Sequence, residues 1–212
     1  FKISDLNTSN NFEEVCKGWF SILKKSKPTY LARDLYSGGG FKKLSKKLEN
    51  MEIKWFEEPI SPEFYDQYSD FKAKTSIPVA AGECEYLRYG FQKLLDKNCI
   101  DFLQMDICSC GGLTEAKRIS SLSSTKGIKI IPHTWGSGIA FFTAINFISN
   151  LEPIPGRLYQ DDAYIEYDRT ENKIRENIIK NDIVMKDGYI SVNMKPGLGI
   201  DVDETYLNKI KI

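Results

Sequence analysis

Six short apolar runs in this chain each end in an ionisable residue, and those residues recur about one strand-helix unit apart. They are Asp34, Glu57, Glu83, Asp106, His133 and Glu166, separated by 23, 26, 23, 27 and 33 positions. The runs before them include Thr29-Tyr30-Leu31-Ala32-Arg33, Ile53-Lys54-Trp55-Phe56 and Ile128-Lys129-Ile130-Ile131-Pro132. Helical patterns fill the intervals, as in Phe64, Tyr68 and Phe71, or Leu87, Phe91, Leu94 and Leu95, or Leu113, Ala116 and Ile119. These spacings place apolar side chains on one face of a 3.6-residue period. Ser61-Pro62 predicts a capped helix start, and residues 139–151 contain a further helix.

Strands that alternate with helices imply crossover connections and a parallel sheet. Nearly continuous apolar runs fit strands covered on both faces. In a closed parallel barrel every strand end falls on one rim, where active sites are built. An open doubly wound sheet would gather its site at a switch point instead of drawing on every strand. The pattern therefore predicts an α/β fold of TIM-type (β/α) barrel architecture. Loop polarity alone explains one or two strand-end acids, but six consecutive units ending in an acid or a histidine point to a shared site.

Composition removes other classes of function. Twenty-nine basic and 29 acidic residues balance, so no long-range field draws nucleic acid or an anionic membrane. A charge near zero permits self-association, and a homo-oligomer is expected. Five cysteines, an odd and scattered set, do not form a disulfide framework and suggest a reducing, cytoplasmic setting. Cys108 and Cys110 could be half of a zinc site, but with one histidine in the chain nothing completes it. No run is long and apolar enough to span a bilayer. The opening Phe1-Lys2-Ile3-Ser4 reads as a strand end and suggests a piece of a longer protein.

Several motifs together resemble the mandelate racemase/muconate lactonizing enzyme branch of the enolase superfamily. They are Trp55-Phe56-Glu57-Glu58-Pro59, Ala81-Gly82-Glu83, Gln104-Met105-Asp106 with Cys110-Gly111-Gly112-Leu113-Thr114-Glu115, Ile131-Pro132-His133 and Pro196-Gly197-Leu198-Gly199-Ile200. The resemblance implies a modified barrel, a Mg²⁺ cofactor and removal of a proton next to a substrate carboxylate. It implies metal ligands at Asp34, Glu57 and Glu83, a histidine-aspartate dyad of His133 and Asp106, and Glu166 as the acid of the eighth strand. Independently of it, three carboxylates on neighbouring strand ends suit Mg²⁺, which takes hard oxygen ligands. A divalent cation offsets the second negative charge that forms when a carboxylate becomes an enediolate. His133 is the side chain whose ordinary pKa suits proton transfer at neutral pH.

The family's Lys-x-Lys motif is represented here by Lys2 alone, with Ser4 two positions on, and Lys2 is the fourth candidate catalytic residue. The asparagine two positions after the first metal ligand is replaced by Tyr36. The first strand-helix unit and the capping domain are expected to be missing from this chain, so the barrel is expected to be incomplete and the isolated chain to turn over little or no substrate. Residues 1–178 are expected to form strands two to eight of the partial barrel. Residues 179–212 form a tail, with a hairpin at Lys186-Asp187-Gly188-Tyr189, that leans toward the capping domain. The expected activity is a Mg²⁺-dependent lyase that dehydrates an acid sugar. A racemase or epimerase of a 2-hydroxy acid is the alternative, then a cycloisomerase. A rival from another class is a non-catalytic fragment that binds metal or a partner protein.

Overall fold

The structure, a computed structural model, describes residues 30–31, 45–46, 48–49, 53–154, 156, 162–168 and 170–211. It divides into two compact units, one of residues 1–81 and 96–102, the other of residues 82–95 and 103–212.

The first unit holds β1 (Tyr30–Leu31), β2 (Trp55–Glu57), α1 (Tyr65–Lys72) and β3 (Val79–Ala81). β1 pairs in parallel with β2, Tyr30 opposite Trp55, and β2 pairs in parallel with β3, Phe56 opposite Val79. Every residue of β2 and β3 is buried, which is why these strands read as unbroken apolar runs. Asp101 carries the next strand into place, its N–H donating to Val79 O at 2.7 Å and its carboxylate accepting from Val79 N–H at 2.9 Å. α1 buries Tyr68 and Phe71, the latter edge-on to Phe56 with centroids 5.8 Å apart. The Tyr68 hydroxyl donates to Ile60 O at 2.6 Å, so a buried phenol keeps a partner. Ser61 does not cap α1. Its carbonyl closes a turn onto Phe64 N–H, its hydroxyl donates to Glu63, and the helix begins at Tyr65.

The second unit contains nearly all of α2 (Leu87–Asp96), then α3 (Gly112–Thr125), β5 (Lys129–Ile130) and α4 (Gly138–Ser149). The strand β4 (Phe102–Leu103) has its second residue here. β5 runs beside β4, with Ile131 N–H donating to Leu103 O and His133 N–H to Met105 O, and Asp106 and His133 bridge in parallel. α2 buries Phe91, Leu94 and Leu95, the face expected from its spacing. The buried Glu115 of α3 caps the start of α2, accepting from Arg88 N–H at 2.9 Å while pairing with Arg88 and Arg118 at 3.0 Å. α4 opens on Ser137, whose hydroxyl oxygen accepts from Ala140 N–H.

Residues 163–165 form no strand ladder among the described residues. The segment is held to β5 by side chains: Lys129 Nζ lies 4.4 Å from the Tyr164 ring centroid and donates to Asp162 O. α5 (Lys173–Asn177) precedes the tail, which contains the hairpin β6 (Met185–Lys186) and β7 (Tyr189–Ile190), and α6 (Glu204–Ile210). Asp187 and Gly188 both have positive φ, 52° and 83°, as a two-residue hairpin turn demands. Ile183, Ile190, Val192, Ile200 and Tyr206 pack against a cluster of Phe141, Phe142, Ile145, Ile178 and Ile179. The tail is thus anchored on α4. Among the described residues no helix is long and apolar enough to cross a membrane. Among the described residues Cys84, Cys99, Cys108 and Cys110 form no disulfide, and Cys16 lies outside the described residues.

Candidate active site

Glu57, Glu83, Asp106 and His133 each lie at or just past the end of a strand. Glu57 closes β2 and is only 5% exposed. Glu58 follows at φ 34°, 1% exposed, its N–H donating to Ala80 O at 2.8 Å. A positive φ on a residue with a side chain carries strain of order 1 kcal/mol or more and is held by surrounding structure. Lys2 and Asp34 lie outside the described residues.

In the second unit, Glu83, His133 and Glu166 converge. His133 Nδ1 lies 2.9 Å from Glu166 Oε2 and 3.2 Å from Glu83 Oε2. Neither oxygen lines up with the ring N–H, so the attraction is chiefly electrostatic. Burial works against a charged ring, but the field and contact of Glu166, then the fields of Glu83 and Asp106, outweigh it and hold the imidazole pKa up to about 9. Asp106, the expected dyad partner, acts on the ring through this field. Its Oδ1 accepts the N–H groups of Cys108 at 2.7 Å and Ser109 at 3.2 Å, closing its own turn.

Two residues not singled out from sequence hold Glu166. Gln104, 1% exposed, donates from Nε2 to Glu166 Oε1 at 2.7 Å. Thr134 donates its N–H to Glu166 Oε2 at 3.3 Å and its hydroxyl to Glu166 O at 2.5 Å. Gln104 stands in a quoted motif, and its place two residues before a strand-end acid was the available signal. The segment beyond Glu166 is tied down as well. Tyr167 packs on Phe141 with centroids 5.2 Å apart, and the buried Arg175 pairs with Asp168 and donates to Thr170 O. Glu57, Glu83 and His133 are side chains of the types able to hold a metal ion. The carboxylates are the hard-oxygen donors that Mg²⁺ takes, whereas imidazole suits softer metals.

Residues 35–206 match the family model described as enolase C-terminal domain-like. Among curated relatives, a D-galactarolactone cycloisomerase of Agrobacterium fabrum is 36% identical over 160 residues, covering 76% of this chain and 42% of the relative. A D-galactonate dehydratase of Klebsiella pneumoniae is 32% identical, covering 77% of this chain and again 42% of the relative. Among solved structures, the 3,6-anhydro-D-galactonate cycloisomerase of Zobellia galactanivorans is 43% identical with a TM-score of 0.75, covering 82% of this chain and 47% of that one. The chain spans less than half the length of these relatives.

Proposed function

Because this chain belongs to the enolase C-terminal domain-like family, we propose that it carries the catalytic side chains of a Mg²⁺-dependent enzyme acting on an acid sugar. The reaction begins with loss of the proton α to the substrate carboxylate. The observation that most supports this reading is the His133 ring, with Nδ1 2.9 Å from Glu166 and 3.2 Å from Glu83. An imidazole in that setting can accept a carbon-bound proton, because nearby carboxylates stabilise the resulting cation.

We assign Asp34, Glu57 and Glu83 as the Mg²⁺ ligands, since their carboxylates match the ion's preference for hard oxygen. When bound, the ion would offset the second negative charge that gathers on the substrate carboxylate as the proton leaves. His133 carries the proton, Asp106 adds negative potential to its ring, and Glu166 is the eighth-strand acid beside it. Lys2 is assigned to the substrate carboxylate. The motifs favour dehydration as the step that follows proton removal. A second reading, cycloisomerisation, is favoured because the relatives at 43% and 36% identity are both cycloisomerases.

The deciding experiment incubates the full-length protein with Mg²⁺ and a panel of acid sugars in deuterated water. A 2-keto product lighter than its substrate by one water marks a dehydratase. A product of unchanged composition with a ring opened or closed marks a cycloisomerase. Exchange at the α carbon with return to either hand marks a racemase. No exchange and no product with any acid sugar or 2-hydroxy acid would sink the reading.

A further inference from the structure

The segments that follow His133 and Glu166 both lean on one short helix. Residues 134–137 lead from His133 into α4, and Asp168 and Thr170 follow Glu166. α5 has five residues, too few to persist by its own hydrogen bonds. Packing holds it instead. Arg175 is 4% exposed, and Ile178 and Ile179, directly after the helix, join Phe141, Phe142 and Ile145 of α4 in one cluster. The first turn of α4 presses against its backbone, since a Cβ at Gly138 would stand 2.6 Å from Arg175 O.

From that seat α5 reaches both segments. Asn172, its N-cap, uses the two ends of its amide differently. Oδ1 accepts from Ile174 N–H at 3.1 Å and Arg175 N–H at 3.0 Å, while Nδ2 donates to Gly136 O at 3.2 Å, three residues past His133. A flipped amide would set its NH₂ against two N–H donors, so the hydrogen bonds fix this orientation. Arg175 divides its guanidinium in the same way. Nη1 pairs with Asp168, two residues past Glu166, and Nη2 donates to Thr170 O. Thr134 closes the triangle, its N–H and hydroxyl both donating to Glu166.

We infer that α5 is the brace of the His133 and Glu166 segments, with Asn172 and Arg175 as positioning residues that act through Gly136 O and through Asp168 and Thr170. Proton transfer between a side chain and carbon tolerates little misplacement, so the brace sets the rate rather than the binding. Its catalytic meaning rests on the proton-abstraction reading above; the bracing itself does not.

The chain has one histidine, so a ¹H–¹³C spectrum of the chain without metal or substrate shows a single imidazole Cε1–H signal. Asn172→Ser and Asn172→Asp keep an acceptor for the α5 cap, but neither places a donor on Gly136 O. Both should move or split the His133 signal at one fixed pH, and agreement between them removes the added charge of aspartate as the cause. Each should cost no more than about 5 °C in Tm, the worth of one lost hydrogen bond. Arg175→Lys keeps a cation beside Asp168 without the second donor to Thr170 O, and it should move the same signal. Lys173→Gln, an exposed substitution on the same helix, should leave it in place. In the full-length protein, with the acid sugar whose α proton exchanges fastest in deuterated water, the two Asn172 variants should lower kcat at least about tenfold. KM should stay within about twofold.

A His133 signal unmoved by both Asn172 variants overturns the proposal, and a lowered Tm beside it makes Asn172 a helix cap alone. An unchanged kcat, or an equal displacement by Lys173→Gln, overturns it too. If Asn172→Asp fails to fold, judged by near-ultraviolet circular dichroism, the uncharged Asn172→Ser decides. If no acid sugar exchanges, the activity reading fails and the His133 signal alone tests the brace.

Discussion

Replacing Gly82 with alanine tests whether the close approach behind the site is as tight as its geometry indicates. Gly82 has φ +139°, a conformation side-chain-bearing residues rarely adopt, and an added Cβ would meet Gln104 N, C and O at 3.1, 3.2 and 3.2 Å. The backbone strain is worth about 1–3 kcal/mol. The overpacking adds a similar amount, about 1–3 kcal/mol. Gln104 has little room to retreat, because Leu103 O and Met105 O accept from Ile131 and His133 on the adjacent strand. The expected loss is therefore about 2–6 kcal/mol, or on the order of 10 °C in Tm for a chain of this size. Gly188→Ala is the internal control, since Gly188 has φ +83° with no atom within 4 Å of the added Cβ. It carries strain alone, about 1 kcal/mol. Thermal melts by circular dichroism compare the two. Equal shifts, or a larger one for Gly188→Ala, would refute the idea that contact with Gln104 dominates. In folded Gly82→Ala, displacement of Gln104 should also loosen its 2.7 Å bond to Glu166 and shift the His133 imidazole signals.

Three further expectations follow from the same contacts. The folded pKa of His133, held up to about 9, lies above an ordinary value near 6.5. In the metal-free chain its stabilisation is therefore whole below about pH 6.5 and is lost as pH rises through about 9, a span of roughly 3 kcal/mol. Urea midpoints across that range should fall for wild type, and His133→Gln should flatten the curve. Arg175 is 4% exposed and pairs with Asp168, so Arg175→Met should cost about 3 kcal/mol by stranding the acid, with Asp168→Asn recovering part of it. Burial raises the Asp168 pKa, but hydrogen bonds from Thr170 and then Arg175 outweigh this and hold it below the usual range. Its contribution is therefore present above about pH 4 and is lost as pH falls through the folded value, so a double variant with an unchanged acid limb would contradict the assignment. Finally, Mg²⁺ titrated calorimetrically into the chain should show binding that Glu57→Gln or Glu83→Gln weakens at least tenfold, about 1.4 kcal/mol, and unchanged affinity in both would remove them as ligands.

The alternation of strands and helices was legible because each element is buried in a simple way. β2 and β3 are covered on both faces and read as apolar runs, while α2 shows its buried stripe at Phe91, Leu94 and Leu95. The expectation of an incomplete barrel agrees with the family match over residues 35–206 and with coverage below half of each relative. What failed to read was local. Ser61-Pro62 has the composition of a helix cap, yet a tight turn through Phe64 consumes it. Residues 163–165 have the composition of a strand, yet Lys129 secures them through its side chain.

The site shows the same division more sharply. Spacing along the chain suggests which residues end strands, and of the four described in the second unit Glu83, Asp106 and His133 follow strands, whereas Glu166 follows a segment with no strand ladder. Spacing does not determine which of those residues face one another, because that depends on side-chain rotation and on who else is competing for each oxygen. Asp106 is one strand from His133, but two backbone N–H groups in its own turn reach its carboxylate first. Local donors of this kind lie close in sequence and need almost no chain ordering, so they win over a partner on another strand. Among the described residues, no N–H group of the 162–168 segment reaches the Glu166 carboxylate. Gln104 and Thr134 come from the two neighbouring strands and turn it toward the ring. The donors beside each acid therefore decide where its oxygens rest, and in this chain they leave Glu166 Oε2 2.9 Å from His133 Nδ1 while Asp106 closes its own turn.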